Sequence, residues 1–248
     1  MPWWQDYFRE AWEPMQHLVK TPDTTVIEAD FIEALLHEYD YRRVLDVPCG
    51  AGRIAIELAK RGFNTVGIEY NPDAVAAAQG SAQRYRQQKR THFEVGDMRQ
   101  LSFDAEFDAV LCVFNSFGYF DDADNERFVA GASQSLRPDG MLLLDCHILE
   151  TLLPAWSPHT VWRFEQWLIV EERAWDLQQS RMNGQWTFVA PDGKQQHYKS
   201  SVRVYGFAEL KQLLNKYNLH ISDIYNGYTG DSYTMVDDSM VLLAHKKA

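Results

Sequence analysis

The sequence predicts an α/β fold, in which a mostly parallel β-sheet has helices on both faces and carries an antiparallel β insertion. Three observations lead to this prediction. Apolar strand-like segments alternate with helix-like segments as far as Asp145. A glycine-rich turn joins the first of these strands to the helix that follows it. After Leu149 the pattern changes to aromatic, β-forming stretches that are separated by turn residues.

The elements are expected in a regular order. Helices at 3–12 and 28–38 come first. The alternating part then predicts strands at 44–47, 65–69, 92–95, 109–114 and 141–145. Its helices are expected at 54–61, 72–88 and 124–136, and Pro72 suits the first turn of the second of these. Such alternation requires crossover connections, which produce a parallel sheet.

The segment 156–205 has a different residue pattern from the rest of the chain. It is rich in β-formers and aromatic residues, with turn signals at Asn183-Gly184 and Asp192-Gly193. We expect three or four antiparallel strands there, followed by a helix at 207–217 and strands at 220–225 and 240–245. The predicted domains are therefore an α/β domain at 1–150 and 206–248, capped by the N-terminal helices, and an inserted β lid at 151–205.

Composition indicates one large globular chain. Its 248 residues are 46% hydrophobic, and no apolar run is long enough to cross a bilayer. The amino terminus lacks the charged and apolar regions of a secretory signal, so we expect a cytoplasmic protein. The cysteines show neither CxxC nor histidine spacing, which predicts reduced thiols and no metal site at Cys49, Cys112 and Cys146.

The charge balance argues against a nucleic-acid partner. A formal net charge of -11 repels phosphate backbones, and the basic residues between Arg84 and Arg90 are typical of a solvated helix end. We therefore expect a small-molecule partner and no membrane partner, with a protein acceptor left open. The chain is expected to be a monomer or a homodimer.

The segment from Val44 to Arg53 carries the most information about function. It predicts a buried strand, a tight glycine turn and a helix start, so that a nucleotide-like ligand can lie against bare backbone. The turn also fits the dinucleotide pattern G-x-G-x-x-G/A. Asp46 at the strand end would repel a pyrophosphate and attract a sulfonium cation, unless it only caps the turn through its own backbone.

Further motifs follow at the ends of the later strands. They are 44–53, Val66-Gly67-Ile68-Glu69, Gly96-Asp97-Met98-Arg99, Phe107-Asp108-Ala109-Val110, Asn115-Ser116-Phe117-Gly118-Tyr119-Phe120 and Leu136-Arg137-Pro138-Asp139-Gly140. Together they resemble the class I S-adenosylmethionine-dependent methyltransferase family. The resemblance implies a Rossmann-like sheet with an antiparallel last strand, S-adenosylmethionine as cofactor and S-adenosylhomocysteine as product. Pro48 stands where the family has glycine, so the cofactor is expected to lean on the backbone of 49–52.

The resemblance places the cofactor along the carboxyl ends of the strands. Glu69 would accept hydrogen bonds from both ribose hydroxyls, and Asp97 and Met98 would bind the adenine. The alternatives are a surface carboxylate at Glu69 and an Asx turn at Asp97. The expected cofactor contacts are Asp46, Cys49, Gly50, Ala51, Gly52, Arg53, Glu69, Tyr70, Asp97, Met98, Asn115, Ser116 and Phe117.

Residues after the fourth and fifth strands are the candidates for the chemistry. Tyr119 and His147 are the candidate catalytic residues, because both follow strand ends near the expected position of the methyl group. A packing role is the alternative for each. The expected acceptor contacts are Tyr7, Tyr119, His147, Arg203 and Tyr205. Aromatic residues of the first helix, Trp12 among them, and of the insertion are expected to close the site.

The expected reaction is in-line displacement of the methyl group by an amine or hydroxyl of a small molecule. Two other functions remain open at this point. One is a nicotinamide-dependent oxidoreductase that uses the glycine turn for a pyrophosphate. The other is a non-catalytic module that binds S-adenosylmethionine.

Overall fold

The structure is a computed structural model that describes residues 2–11, 21–164 and 166–247. Its strands are β1 (Arg43–Asp46), β2 (Asn64–Glu69), β3 (Thr91–Val95), β4 (Phe107–Cys112), β5 (Leu136–Asp145), β6 (His159–Phe164), β7 (Trp167–Asp176), β8 (Arg181–Val189), β9 (Gln195–Arg203), β10 (Leu219–Asn226) and β11 (Met240–Lys246). Its α-helices are α1 (Trp3–Asp6), α2 (Pro22–Glu38), α3 (Arg53–Lys60), α4 (Pro72–Arg84), α5 (Asp122–Ser135), α6 (Leu149–Leu152) and α7 (Phe207–Lys216). A π-helical segment, Tyr7–Ala11, follows α1, and Met98–Gln100 forms a short 3₁₀ helix. Trp12 lies outside the described residues.

The described residues contain a seven-stranded sheet in the order β10-β11-β5-β4-β1-β2-β3. The neighbours from β5 to β3 are all parallel, whereas β11 runs antiparallel to both β5 and β10. This confirms the predicted mostly parallel sheet with an antiparallel last strand. The chain leaves β1 toward β2 and later returns to its other side as β4, so a ligand-binding crevice is expected at the carboxyl ends of these strands.

Local sequence explains where the main helices begin. The predicted start of the second helix at residue 28 is too late, because the helix already begins at Pro22. The Oγ1 atom of Thr21 accepts a hydrogen bond from the backbone N–H of Thr24 at 3.2 Å and caps the first turn. Asn71 caps α4 in the same way, with Pro72 in the first turn as predicted. The strand β4 is buried along its whole length, as expected of a central parallel strand.

A second, antiparallel sheet follows β5, with the strand order β6-β7-β8-β9. We call it the lid sheet. The turn predicted at Asp192-Gly193 joins β8 to β9, and Gly193 has a φ of 82°. The turn predicted at Asn183-Gly184 is wrong, since both residues lie inside β8. A Cβ atom on Gly184 would lie 2.4 Å from the Oγ atom of Ser200, so this glycine serves close packing rather than a turn.

The N-terminal segment joins the two sheets. The side-chain amide of Asn71 donates a hydrogen bond to the carbonyl of Phe8 at 2.8 Å, which fixes the segment beside the end of β2. On its other side the ring of Tyr7 contacts the ring of Tyr198 in the lid sheet. In the part of the chain that the structure describes, no helix is both long and apolar enough to span a bilayer. The domain limits after residues 150 and 205 stay a prediction.

Candidate functional site

The glycine turn after β1 has the backbone that its sequence predicts. Gly50 and Gly52 take left-handed φ angles of 54° and 76°. The space where Gly52 would carry a Cβ is filled by the ring of Phe93, 2.6 Å away. The backbone amides of Cys49 and Gly52 donate to the carbonyls of Ile68 and Cys49. These two backbone hydrogen bonds hold the shape of the turn, and the contact with Phe93 shows that Gly52 faces the core.

Two buried carboxylates lie at the ends of β1 and β2, beside this turn. Asp46 is only 2% exposed, and burial raises its pKa to about 7 although the nearby Arg53 lowers it. Glu69 accepts hydrogen bonds from the backbone amides of Gly50 at 3.0 Å and Asn71 at 2.9 Å. Burial raises the pKa of Glu69, and these amide bonds oppose that rise. A cation beside Asp46 would restore its ionised form, so this corner fits a positively charged ligand.

The end of β3 presents a carboxylate with fixed geometry. Asp97 accepts hydrogen bonds from the guanidinium of Arg99, including one of 2.6 Å, and from the backbone amide of the same residue. Arg99 also pairs with Asp124 on α5 at 2.6 Å. Burial favours a higher pKa for the Asp97 carboxyl, but the guanidinium outweighs it and holds that pKa below its usual range. Met98 is buried next to this carboxylate.

The segment after β4 turns sharply at the rim of the sheet. Phe114 and Asn115 have φ angles of 61° and 53°, and the hydroxyl of Ser116 donates to the carbonyl of Val113 at 2.8 Å. Burial raises the pKa of Tyr119, so its side chain is a neutral phenol that donates or accepts a hydrogen bond. A neutral phenol of this kind is not a strong base.

A single cavity of about 940 Å³ joins these strand ends to the lid sheet. Most of the residues that the sequence predicts for the site line it. They are Tyr7, Asp46, Cys49, Gly50, Ala51, Arg53, Glu69, Tyr70, Asp97, Met98, Asn115, Ser116, Tyr119 and His147. The predicted residues that do not line it are Gly52, Phe117, Arg203 and Tyr205.

Three of these residues pack behind the cavity wall. Arg203 forms ion pairs with Asp122 at 3.0 Å and with Glu209, and the hydroxyl of Tyr205 donates to Asp122 at 3.0 Å. Phe117 stacks on Tyr205 with ring centroids 5.4 Å apart. The structure thus gives Arg203 and Tyr205 contacts that join the end of the lid sheet to α5 and α7, away from the acceptor contacts expected of them. These partners are distant in sequence, which is why the spacing did not indicate them.

Arg53 and His147 both line the cavity. The guanidinium of Arg53 pairs with the buried carboxylate of Glu28 and lies 5.8 Å from the ring centre of Phe114. Burial, reinforced by the positive charge of Arg173, lowers the pKa of His147 to about 4. His147 is therefore neutral near pH 7, and only a weak base.

One face of the lid sheet supplies residues that the sequence reasoning missed. Ile169, Glu171 and Arg173 alternate along β7 and all line the cavity. Glu171 is 1% exposed and accepts a hydrogen bond from the Nε atom of Arg173 at 2.7 Å. The strand period of two could have placed Glu171 on the face of the apolar Ile169, and therefore in a buried position. The sequence holds no signal for which face meets the cavity.

This sheet order, with a ligand-sized cavity at the carboxyl ends of β1 to β5, defines an α/β protein that binds a nucleotide-like molecule. Comparison with known proteins supports the resemblance found in the sequence. Residues 44–140 match the profile of a methyltransferase domain. The match spans the motifs of 44–53, 66–69, 96–99, 107–110, 115–120 and 136–140, on which the resemblance to the class I S-adenosylmethionine-dependent methyltransferase family depends.

Two curated relatives are also described as methyltransferases. A glycine/sarcosine N-methyltransferase of Parasynechococcus marenigrum (strain WH8102) is 33% identical over 156 residues, which cover 62% of this chain and 55% of the relative. The putative methyltransferase YqeM of Bacillus subtilis (strain 168) is 36% identical over 120 residues, 47% of this chain and 46% of the relative. This chain thus spans about half the length of these relatives.

Two solved structures share the fold over nearly the whole chain. An S-adenosylmethionine-dependent methyltransferase from Clostridium acetobutylicum ATCC 824 has a TM-score of 0.81 at 16% identity, covering 98% of this chain and 97% of its own. The amino pentose methyltransferase CalS10 from Micromonospora echinaspora, solved with S-adenosylmethionine bound, has a TM-score of 0.71 at 21% identity. That match covers 96% of this chain and 97% of the other. At identities of 16% and 21%, these similarities show that the three proteins share a fold.

Proposed function

We propose that this chain is a methyltransferase that uses S-adenosylmethionine to methylate an amine or hydroxyl of a small molecule. The observation that carries the proposal is the single cavity of about 940 Å³, which the strand-end carboxylates and the aromatic lid sheet share. A site of this kind holds donor and acceptor together. The glycine/sarcosine N-methyltransferase and the amino pentose methyltransferase CalS10 act on small amines or amino sugars by their descriptions, which supports this class of acceptor.

The residues present fit the donor. S-adenosylmethionine, when bound, supplies a methyl group that is activated by a sulfonium. Asp46 would face its positive charge, Glu69 would hold the ribose hydroxyls, and Asp97 with Met98 would hold the adenine. The same carboxylates argue against a nicotinamide cofactor, because a pyrophosphate at this turn would lie beside Asp46 and Glu69 and be repelled.

The contribution of the protein to the reaction would be alignment and exclusion of water. Tyr119, residues of the first helix and residues of the lid sheet all line the cavity, and they would shield the reactants from water. Correct placement of two reactants contributes about 7 to 11 kcal/mol to a reaction of this kind. A protonated amine or a hydroxyl must release one proton, and Tyr119 and His147, which both line the cavity, would accept a hydrogen bond from it. The cytoplasm stays the proposed compartment.

Calorimetry with S-adenosylmethionine, S-adenosylhomocysteine and reduced nicotinamide dinucleotide tests the donor. We expect the first two to bind and the third not to bind. Glu69→Gln should weaken donor binding by about ten- to a hundredfold, the usual effect of losing a charged hydrogen-bond partner. Glu94→Gln is the control, because that carboxylate is exposed on β3.

Mass spectrometry of a panel of amines and alcohols incubated with the protein and donor tests the transfer. A mass gain of one methyl group on any of them, together with formation of S-adenosylhomocysteine, supports the proposal. Donor binding without methylated product from any acceptor would instead favour a non-catalytic binding module. Binding of the reduced nicotinamide in place of the donor would overturn the proposal.

A further inference from the structure

The lid side of the cavity holds an aromatic chamber next to Tyr119. The rings of Trp162 and Trp186 are stacked with centroids 5.6 Å apart and planes 8° apart. Trp186 also contacts Tyr7 at 5.7 Å, and Trp3 contacts both Tyr7 and Tyr119 edge-on. These rings connect the rim after β4 to the lid sheet, so a molecule in the chamber lies between π faces.

One carboxylate points into this chamber. Glu171 faces Trp186 in the strand pairing of β7 with β8, and both side chains line the cavity. Its Oε2 atom takes the hydrogen bond from Arg173, whereas no described residue donates a hydrogen bond to its Oε1 atom. Gly184 leaves the space beside it open, since a Cβ there would lie 3.2 Å from Oε1. Glu171 thus keeps one acceptor oxygen for a ligand.

The charges around the cavity favour a cation. The charged side chains that line it in the described part of the chain are Asp46, Arg53, Glu69, Asp97, Glu171 and Arg173. The four carboxylates outnumber the two guanidiniums, and Arg53 is in addition paired with Glu28, which does not line the cavity. Indole and phenol faces attract ammonium groups as well. Both the carboxylates and the aromatic faces therefore favour a positively charged ligand.

We propose that Glu171 binds the protonated amine of the methyl acceptor, so that the substrate is a cationic amine with an aromatic or aliphatic body. The inference rests on the proposed function and narrows it from amine or hydroxyl to amine. The body of the substrate lies against Trp186 and Tyr7, and its ammonium group donates a hydrogen bond to Oε1. One proton passes from the ammonium group to this carboxylate, which gives the nitrogen the lone pair it needs to attack the methyl group. The methylated amine then carries the positive charge, and S-adenosylhomocysteine leaves. A neutral alcohol of the same shape makes the apolar contacts but lacks the charge.

Calorimetry on the protein saturated with S-adenosylhomocysteine tests this inference. The probes are benzylamine, phenethylamine and cyclohexylmethylamine, each beside its alcohol, at about pH 7.5, where alkylammonium groups stay protonated. We expect at least one amine to bind about tenfold or more tightly than its alcohol, as for one charged hydrogen bond. Glu171→Gln should remove that preference and leave alcohol binding within about twofold, because the amide keeps an oxygen for Arg173.

Glu172→Gln is the matched control, since it removes the same charge from the next residue, which is exposed. It should leave the preference for amines intact. The inference is overturned if no amine binds, if alcohols bind the wild-type protein as well as amines do, or if Glu171→Gln retains the preference. The wild-type comparison alone can refute the preference for amines, even if a variant folds poorly. Failure to bind S-adenosylhomocysteine in the first titration would contradict the proposed function instead.

Discussion

The affinity for S-adenosylmethionine should rise with pH through the titration of Asp46. The buried carboxyl has a pKa of about 7 in the free protein. A cation about 4 Å away stabilises its ionised form by about 4 kcal/mol at an effective dielectric constant of 20. That energy equals about three pKa units, so the complex should hold Asp46 ionised down to about pH 4.

The size of the effect follows from the ionised fraction of the free protein. With a pKa of about 7, about a tenth of the Asp46 carboxyls are ionised at pH 6 and about three quarters at pH 7.5. Binding selects the ionised form, so the dissociation constant should fall about eightfold over that interval. Titration calorimetry in two buffers of different ionisation enthalpy measures this change, together with the release of close to one proton per bound donor at pH 6.

Two variants test whether Asp46 causes the pH dependence of donor binding. Asp46→Asn should bind weakly at both pH values and show no slope. Asp104→Asn, at an exposed position, should keep the wild-type slope. A pH-independent affinity in the wild-type protein, or an unchanged slope in Asp46→Asn, would refute the placement of the donor's charge at this carboxylate.

Two further predictions concern the glycine turn and the buried histidine. Gly52→Ala should lower the free energy of unfolding by about 1 to 3 kcal/mol in a urea titration, because the new Cβ meets Phe93 at 2.6 Å and the φ of 76° is strained. Gly80→Ala, in open space on α4, should be neutral or slightly stabilising, and equal stability of the two variants would contradict this account. The imidazole of His147 should titrate near pH 4 by NMR, assigned by its loss in His147→Gln, and a midpoint above about 6 would show that the ring is solvated.

The titration of His147 also bears on stability. Its pKa in the folded protein lies below the value in the unfolded chain, so the unfolded state binds the proton more readily. This group therefore favours folding fully above about pH 6.5 and loses that contribution as the pH falls toward 4.

The strand-end part of the site could be predicted because parallel strands bring their carboxyl ends to one edge. Asp46, Glu69 and Asp97 each follow an apolar run, and the structure brings all three to the cavity wall. Periodicity and chain order are sufficient for that placement. The glycine turn followed from the same pattern, although Gly52 proved to face Phe93 instead of the ligand.

The lid side could not be predicted in the same way. Residues such as Glu171 become site residues only through the packing of one sheet against another, and a strand pattern leaves the choice of face open. The Asn183-Gly184 pair shows that a local sequence pattern can also predict the wrong structure. It has the composition of a hairpin turn but lies mid-strand, because Gly184 makes room for the hydrogen bond of 2.9 Å from Trp186 to Ser200.

The contacts of Arg203 are a third feature that could not be predicted from the sequence. Its ion pairs with Asp122 and Glu209 tie the end of β9 to two helices, and they direct its charge away from the cavity. A pairing between residues so far apart in the chain leaves no periodic signal. Arg203 is the last residue of β9, and its partners depend on the tertiary fold.

The most direct test is a crystal structure of the protein with S-adenosylmethionine. The proposal predicts electron density for the donor along the turn at Gly50, with the ribose hydroxyls within hydrogen-bond distance of Glu69 and the methyl group toward Tyr119. A turn that stays empty at saturating donor, or that holds a phosphate-bearing molecule instead, would contradict it.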